Sequence, residues 1–516
     1  MEQLLHKLLK NESLAPPVPE ENGNALAKTV IGPLAQIVVY PRSITAVNHC
    51  LYFLGQRGHK KYVGLITSET HRATYLGIPQ SIRLKNTDLK LVLIKADTKA
   101  SRKIQVALPF LKPRVIGSVP SAGCGDRLGL ATPGHVRALA KTELAAVLCQ
   151  QSVRENTRTG RSPRQVLDDV IWGAWQEGWR IGFGADADHL KTTQEIDAFV
   201  DAGYTFYTID PGDHMDPEAD DANPVQLEEK VSALPWNALQ TSAEDLVFGL
   251  TQRPLELDGF IVQLTREEVL RSAAKYGAVV AHTFDMVRHL RGKLGSKPFE
   301  LEISVDETNS ATTLVEHIYI VAELSRLEVV VDSLAPRYLG EFEKGVDYIG
   351  DIAAFESSFA RHAAVARTFG NYKLSLHSGS DKFAIYPAIS RHTNGLLHVK
   401  TAGTSYLEAL RTVSEKKPPL FREILEFSVG RYADDRLTYH VSAEVEKMPL
   451  VSHLSDSSLP EVLNDFHSRE VLHVTYGSVL GNPGLCKGLF DTLHANEAYY
   501  KANLERHFDR HFALLE

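Results

Sequence analysis

An aspartate and a histidine stand side by side at the end of an apolar run, in Gly184-Ala185-Asp186-Ala187-Asp188-His189-Leu190-Lys191. The run before them, Trp179-Arg180-Ile181-Gly182-Phe183, is typical of a strand. Enzymes of the α/β class carry their chemistry in polar loops at such strand ends. There His189 can bind a divalent metal while Asp188 moves a proton on the substrate that the metal holds. The ordinary alternative is an N-cap aspartate beside a surface histidine.

A catalytic metal bound through nitrogen and oxygen needs several protein side chains that converge on one point. The set that we expect is His189, Glu343 and His377, with Glu302 as a further carboxylate near the same centre. Asp213-His214 repeats the Asp-His pair, and we rank it second because the first pair has the shorter loop and is followed by Lys191. A histidine at a strand end is also a common structural residue, so this expectation depends on the fold.

The alternation Glu300-Leu301-Glu302-Ile303-Ser304 puts two carboxylates on one strand face. In a barrel that face points inward, where an unpaired carboxylate is costly unless a cation or a metal compensates it. We expect Glu300 to lie in solvent at the strand start and Glu302 to be functional.

Small and cationic residues after two late strands indicate an anion site. Lys400-Thr401-Ala402-Gly403-Thr404-Ser405 opens a helix whose free N–H groups favour a carboxylate or phosphate, and Ser378 to Lys382 can supply the other half. Arg127, within Gly125-Asp126-Arg127-Leu128-Gly129, offers a planar fork for a carboxylate. A plain helix cap with a surface lysine is the alternative. The residues expected to bind an anionic substrate are Asp126, Arg127, Lys191, Ser378, Asp381, Lys382, Lys400 and Thr404.

Short apolar runs that end in polar loops, most of them followed by a helical pattern, recur from about residue 114 onward. They begin near 115, 179, 204, 299, 327, 372 and 395, and 471–477 is either an eighth strand or part of a terminal extension. This rhythm predicts a TIM-type (β/α)8 barrel, whereas an open doubly wound sheet would concentrate functional residues at one switch point. We expect a mixed α/β extension over 1–112, the barrel over 113–418 with a helical insertion near 216–298, and a segment over 419–516 that completes and caps the barrel.

Composition narrows the functional class. The chain has 516 residues, a net charge of -8 and four cysteines without a CxxC pair, which favours reduced thiols in the cytoplasm. No basic stripe suggests nucleic acid, and no apolar run has the length of a membrane span. We expect a cytoplasmic protein whose partner is a small molecule. The sequence leaves open whether the protein forms a homo-oligomer.

Five segments together resemble the tagaturonate/fructuronate epimerase family (UxaE). They are 125–135, 186–191, 210–214, 345–351 and 377–382, and the resemblance spans most of the chain. It implies interconversion of the hexuronates D-tagaturonate and D-fructuronate with a divalent metal (Zn, Mn or Ni).

A weaker similarity connects the chain with class II metal-dependent aldolases, through Asp188-His189 and Leu376-His377-Ser378-Gly379-Ser380. It implies that His189 and His377 are metal ligands and that Asp188 carries a proton. The remaining histidine ligand of the aldolases has no evident equivalent, and Glu343 stands where we expect a replacement. The expected mechanism is retro-aldol cleavage and re-addition, with Asp188 and Glu302 as the two acid–base groups, and with Arg127, Lys382, Lys400 and Thr404 holding the carboxylate end.

Two other functions stay open. A class II-type aldolase acting on a keto-sugar acid would release its fragments, and a non-catalytic sugar-acid-binding protein would need no metal. A hydride-shuttling epimerase is disfavoured because no strand is followed by a G-x-G-x-x-G turn with an acidic residue about 20 positions on.

Overall fold

The computed structural model describes residues 1–308, 310–450 and 453–515. The chain forms two compact units. One comprises 1–114, 129–137 and 164–183, and the other comprises 115–128, 138–163 and the described residues from 184 onward.

The strands are short, as is usual in globular proteins. They are β1 (Val38–Val39), β2 (Thr45–Val47), β3 (Cys50–Arg57), β4 (Lys60–Thr67), β5 (Gln80–Leu84), β6 (Thr87–Lys95), β7 (Ser121–Gly123), β8 (Ala145–Ser152), β9 (Gly184–Leu190), β10 (Phe206–Ile209), β11 (Leu255–Leu257), β12 (Phe260–Val262), β13 (Glu300–Val305), β14 (Ser333–Pro336), β15 (Lys373–Leu376) and β16 (Leu397–Lys400).

The α-helices carry most of the remaining regular structure. They are α1 (Glu2–Leu8), α2 (Glu20–Leu26), α3 (Gly32–Ala35), α4 (Thr70–Leu76), α5 (Thr98–Ala107), α6 (Thr132–Leu139), α7 (Val153–Thr159), α8 (Pro163–Gln176), α9 (Thr193–Ala202), α10 (Pro224–Ser232), α11 (Trp236–Leu239), α12 (Ala243–Thr251), α13 (Arg266–Leu294), α14 (Leu314–Arg326), α15 (Ile352–Thr368), α16 (Tyr386–Thr393), α17 (Thr404–Lys416), α18 (Pro418–Asp435), α19 (Phe466–Val474), α20 (Tyr476–Gly481), α21 (Pro483–Ala495) and α22 (Glu497–Phe512).

The first unit contains an antiparallel sheet of strand order β1-β3-β4-β6-β5, with β2 paired to β3. Apolar side chains from the early helices and from the sheet, such as Leu26, Ile31, Leu51 and Phe53, form its buried core. The predicted mixed α/β character of the N-terminal region is therefore confirmed.

The second unit contains a closed barrel of eight parallel strands in the order β7-β8-β9-β10-β13-β14-β15-β16, with β16 pairing back to β7. Neighbouring strands in this order are joined by connections that carry helices, as parallel pairing requires. The predicted TIM-type barrel is confirmed.

The positions of several strands differ from the prediction. The first barrel strand is Ser121–Gly123 rather than the run at 115–117, and β8 was not foreseen. The apolar runs at 179–183 and 327–332 precede the strands β9 and β14 instead of forming them. In β9 the strand itself is rich in polar residues, and β14 is only four residues long. Residues 471–477 lie in α19 and α20, so they provide no strand.

Between β10 and β13 the chain makes the expected helical insertion. It contains α10 to α13 and the hairpin of β11 and β12. The 29-residue helix α13 begins at a capping box in which Thr265 and Glu268 satisfy each other's backbone N–H groups. Among the described residues, no helix is long and apolar enough to cross a bilayer.

Candidate active site

Lys400, the last residue of β16, stands at the centre of a buried charge cluster inside the barrel. Its Nζ lies 2.8 Å from Asp186 Oδ2, 2.6 Å from Asp188 Oδ1 and 2.7 Å from Glu302 Oε1. It also donates a hydrogen bond of 2.8 Å to Thr208 Oγ1. Alternate residues of a barrel strand point inward, so β9 contributes both aspartates and β13 contributes the glutamate.

The charges in this cluster do not balance. Burial raises the pKa of Asp186, whereas at Asp188 and Glu302 the Lys400 charge, with those of the nearby histidines, outweighs burial and lowers the pKa. Burial likewise opposes the charge of Lys400, but the three carboxylates raise its pKa well above the usual value. Three carboxylates share one ammonium, and this part of the barrel therefore attracts further positive charge.

Two histidine rings, those of His189 and His377, pack against each other next to this cluster. The His377 Nε2 atom lies 2.5 Å from Glu302 Oε1, and its Nδ1 lies 3.3 Å from Asp306 Oδ1. His189 Nδ1 lies 3.3 Å from Asp210 Oδ2. The rings of His189 and His377 pack edge to face with their centroids 4.9 Å apart.

Carboxylates dominate the electrostatic environment of both rings. Burial lowers the pKa of His189, but Asp188 and Asp210 outweigh it and raise the value to about 10. Burial and Lys400 lower the pKa of His377, yet Asp306 and Glu302 raise it above the usual value. A field that draws protons onto imidazoles also favours a divalent cation in their place.

Ligand atoms for such a cation are close together. Asp188, His189 and His377 offer one ligand atom each, and these lie within 4.8 Å of one another. His189, Asp210 and Glu307 form a second such group. Nitrogen and carboxylate donors suit zinc, manganese and nickel, so the donor set fits a divalent metal.

Glu343, predicted as the third ligand, faces elsewhere. Its Oε2 accepts hydrogen bonds from the Ser442 N–H (3.0 Å) and hydroxyl (2.8 Å). Burial and the neighbouring Glu343 raise the pKa of Glu470 to about 9, so these two carboxyls form an acid pair. Among the described residues, Glu343 belongs to none of the groups of converging ligand atoms. The structure therefore does not support it as a ligand.

A third group, Asp381, His507 and His511, has the composition of a metal site but the bonding of a structural network. His511 Nε2 accepts from the Asp381 N–H (2.9 Å) and its Nδ1 contacts the His507 carbonyl oxygen (3.0 Å). Both ring nitrogens are thus engaged by the backbone. Asp381 is also paired with Arg469 at 3.0 Å, so this group ties α22 to the loop after β15.

Other predicted substrate residues also have protein partners. Arg127 is buried, donates to Glu155 Oε1 (2.8 Å) and lies 3.7 Å from the centre of the Tyr476 ring. Lys382 is fully buried and donates to the backbone carbonyls of Glu343 (2.8 Å) and Ser380 (3.3 Å), and also to that of Val346.

The predicted anion site at the start of α17 is closed. Thr404 Oγ1 lies 2.7 Å from His507 Nε2. A Cβ atom at Gly403, where φ is 96°, would lie 2.3 Å from the His473 ring and 3.0 Å from Arg127 Nη2. Asp126 is buried and its carboxylate accepts from the Leu128 N–H. These side chains hold the barrel to the C-terminal helices.

The second Asp-His pair lies at the surface. Asp213 forms an ion pair with Lys191 at 2.9 Å, and the His214 ring stacks on His282 with centroids 3.9 Å apart. Neither residue joins a group of converging ligand atoms among those described. Lys191 is partly exposed and its Nζ lies 3.8 Å from Asp210, at the margin of the site.

A cavity of about 310 Å³ is lined by Ser378, which follows His377 in the chain, and by Asp306, whose Oδ1 lies 3.3 Å from His377 Nδ1. Its wall also contains Arg154, Lys344 and Tyr439. Ser378 is thus the predicted substrate residue that lines this cavity.

Several residues of the site were not predicted, among them Asp186, Asp306, Lys344 and Arg154. Asp186 and Asp306 could have been found, because Asp186 shares a strand face with Asp188 and Asp306 directly follows the strand of Glu302. Glu300 was expected in solvent, yet it is fully buried, with Lys373 Nζ 3.3 Å away. The N–H groups of Ile116 and Gly117 also donate to it.

Comparison with known proteins identifies the family. The model of the family described as UxaE, tagaturonate epimerase, matches residues 40–515. The tagaturonate/fructuronate epimerase of Thermotoga maritima is 44% identical over 409 residues, which cover 79% of this chain and 83% of that protein.

Solved structures agree. Crystal structures of the fructuronate-tagaturonate epimerase UxaE from Cohnella laeviribosi, native and with glycerol, superpose with a TM-score of 0.86 at 32% identity, covering 95% of this chain and 99% of theirs. The chain is therefore an epimerase, an isomerase by reaction class, and belongs to the tagaturonate epimerase family.

Proposed function

We propose that this chain interconverts D-tagaturonate and D-fructuronate in a metal-dependent reaction at the mouth of the barrel. The observation that carries the proposal is the meeting of His189 and His377 above a carboxylate cluster, with ring centroids 4.9 Å apart, in a chain of this family. The names of the relatives supply the substrate pair.

The chemistry of this pair restricts the mechanism. The two sugars differ at a carbinol carbon that is β to the ketone, so the ketone does not acidify its C–H bond. A β-hydroxy ketone can instead cleave by a retro-aldol step. The hydroxyl loses its proton, the carbon–carbon bond between the α and β carbons breaks, and its electron pair forms an enediolate. Half a turn of the aldehyde fragment, re-addition and protonation of the new alkoxide give the other epimer.

The described side chains suit these steps. A divalent cation held by His189 and His377 would supply Lewis-acid stabilisation of the negative charge that develops on the ketone oxygen. Asp188 on β9 and Glu302 on β13 have lowered pKa values and are ionised, as a base must be. One carboxylate accepts the hydroxyl proton. The other returns a proton to the new alkoxide on the opposite face of the aldehyde. Lys400 contacts both carboxylates, and in the proposed mechanism it relays the proton between them.

The test is ¹³C NMR of D-tagaturonate incubated with the purified chain, with added Zn, Mn or Ni and with EDTA. Appearance of D-fructuronate that EDTA abolishes is the expected result. Stable three-carbon fragments would instead identify an aldolase, and an unchanged spectrum with every metal would overturn the substrate assignment.

The same reaction in D₂O tests the route. Retro-aldol cleavage keeps the original hydrogen on the inverted carbon, so we expect no deuterium there. Deuterium at that carbon would show direct deprotonation and would contradict the proposed mechanism.

A further inference from the structure

Among the described residues that line the cavity next to Ser378, the cation Lys344 forms no ion pair. Arg337 is paired with Glu341 at 2.8 Å, and Arg154 lies 3.6 Å from Glu307. Lys344, by contrast, has no carboxylate within 4.0 Å among the described residues, and the hydrogen bond that it makes is to the Ser378 hydroxyl.

The surroundings of Lys344 make this charge costly. Burial and the nearby Arg154 both lower the pKa of Lys344, while Glu307 and Asp306 only partly compensate. An ammonium has three N–H donors, and the Ser378 hydroxyl takes one of them. A partly buried cation with spare donors beside a cavity is suited to an anion.

Arg154 adds a second donor on the same wall. Its Nε is buried and has no hydrogen-bond partner in the protein, and its guanidinium lies 5.3 Å from the centre of the Tyr439 ring. Arginine and lysine side by side can share the two oxygens of one carboxylate.

We infer that Lys344, flanked by Arg154, binds the substrate carboxylate and makes the site specific for acidic over neutral ketoses. This inference rests on the proposed function. Lys344 contacts Ser378, the chain neighbour of His377, so the carboxylate would lie close to the histidines that would hold the metal. Retro-aldol cleavage leaves the carboxylate on the aldehyde fragment, and Lys344 therefore retains the fragment that must turn and re-add.

The test compares acidic and neutral substrates of the same skeleton. D-Tagatose carries a hydroxymethyl group where D-tagaturonate carries its carboxylate. We expect Lys344→Gln to lower kcat/KM for D-tagaturonate about 100-fold, the scale of a lost charge-assisted hydrogen bond, without lowering it for D-tagatose. Lys344→Arg should recover part of the loss, and Lys293→Gln, which removes a surface lysine paired with Asp197, serves as the matched control.

A binding measurement makes the inference independent of turnover. Glycerate is the reduced form of the carboxylate-bearing fragment, and glycerol is its neutral counterpart. We expect glycerate to raise the Tm of the wild-type chain and of Lys344→Arg but not of Lys344→Gln, with glycerol giving no difference between variants. Equal effects of Lys344→Gln on acidic and neutral ligands would overturn the inference. Inactivity of the wild type on both hexuronates would overturn the proposed function alone.

Discussion

The Lys400 ammonium lies 2.7 Å from the Glu302 carboxylate, although their strands β16 and β13 are not neighbours in the barrel. The ion pair therefore crosses the barrel interior, where Asp186 and Asp188 of β9 reach the same ammonium. The carboxylates of two strands, β9 and β13, therefore depend on one positive charge from a third strand, β16.

Removal of that charge should be strongly destabilising. We expect Lys400→Met to lower the free energy of unfolding by about 3–5 kcal/mol, because buried carboxylates lose their partner. Urea denaturation measures the change. Lys141→Met, which breaks ion pairs to Glu505 and Asp509 at the surface, should cost about 0.5 kcal/mol or less. Equal stability of the two variants would contradict the role assigned to Lys400.

Metal content should distinguish the two histidines from Glu343. We expect His189→Ala and His377→Ala to lose most bound metal after dialysis, since each removes a nitrogen ligand. Glu343→Gln should keep the wild-type amount because its carboxylate faces Ser442. Elemental analysis of the purified variants gives the stoichiometry, with His289→Ala as a histidine control on α13. Loss of metal from Glu343→Gln would return that residue to the ligand set.

Asp188 should be needed for proton transfer more than for metal binding. We expect Asp188→Asn to lower kcat by about 100-fold or more, the usual contribution of an acid–base group, while metal content stays at the wild-type level. Steady-state kinetics and elemental analysis on the same preparation separate the two effects. If metal and activity fall together, Asp188 is a ligand, as its place beside His189 and His377 also permits.

A buried histidine pair far from this chemistry should make stability depend on pH. The His317 and His362 Nδ1 atoms lie 2.8 Å apart, and His317 Nε2 lies 2.6 Å from the Tyr372 hydroxyl. Burial lowers the pKa of His362 to about 4 and that of His317 well below its usual value.

Below the unfolded-state pKa of about 6.5, the unfolded chain binds protons that the folded chain refuses. Stability is therefore full above that pH and is lost as the pH falls toward 4. When the pH falls from 7 to 5, the free energy of unfolding should fall in both proteins. We expect the fall to be about 2 kcal/mol smaller for His362→Gln than for the wild type. Urea denaturation at the two pH values measures this, and parallel losses would refute it.

The sequence predicted the barrel because hydrophobic runs and polar endings recur at regular intervals, which reflects the architecture. Strand positions were less accurate, since the inner face of this barrel is polar. Lys373, Ser375, His398 and Lys400 are fully or almost fully buried on short strands. A search for apolar runs therefore selects the flanking segments at 179–183 and 327–332.

The sequence indicated which residues at strand ends lie close together, but not the partners of residues that are far apart in the chain. Asp188, His189, Glu302 and His377 are brought together by the barrel, as expected from their strand ends. The partners of Arg127 and Lys382 lie far away in the sequence or on the backbone. Tertiary packing decides whether a cationic side chain faces a cavity or a buried acceptor, and a single amino-acid sequence does not reveal that packing.

Helix α22 anchors the loop that follows β15 and His377. Asp381 lies four residues after His377. Its backbone N–H donates a hydrogen bond to His511, and its carboxylate lies 3.2 Å from His507. During synthesis the ribosome releases residues 507 and 511 more than a hundred positions after that loop. A nascent chain that has not yet released these residues therefore exposes the loop after β15 without its anchors, and this loop reaches its folded geometry only once α22 has been made.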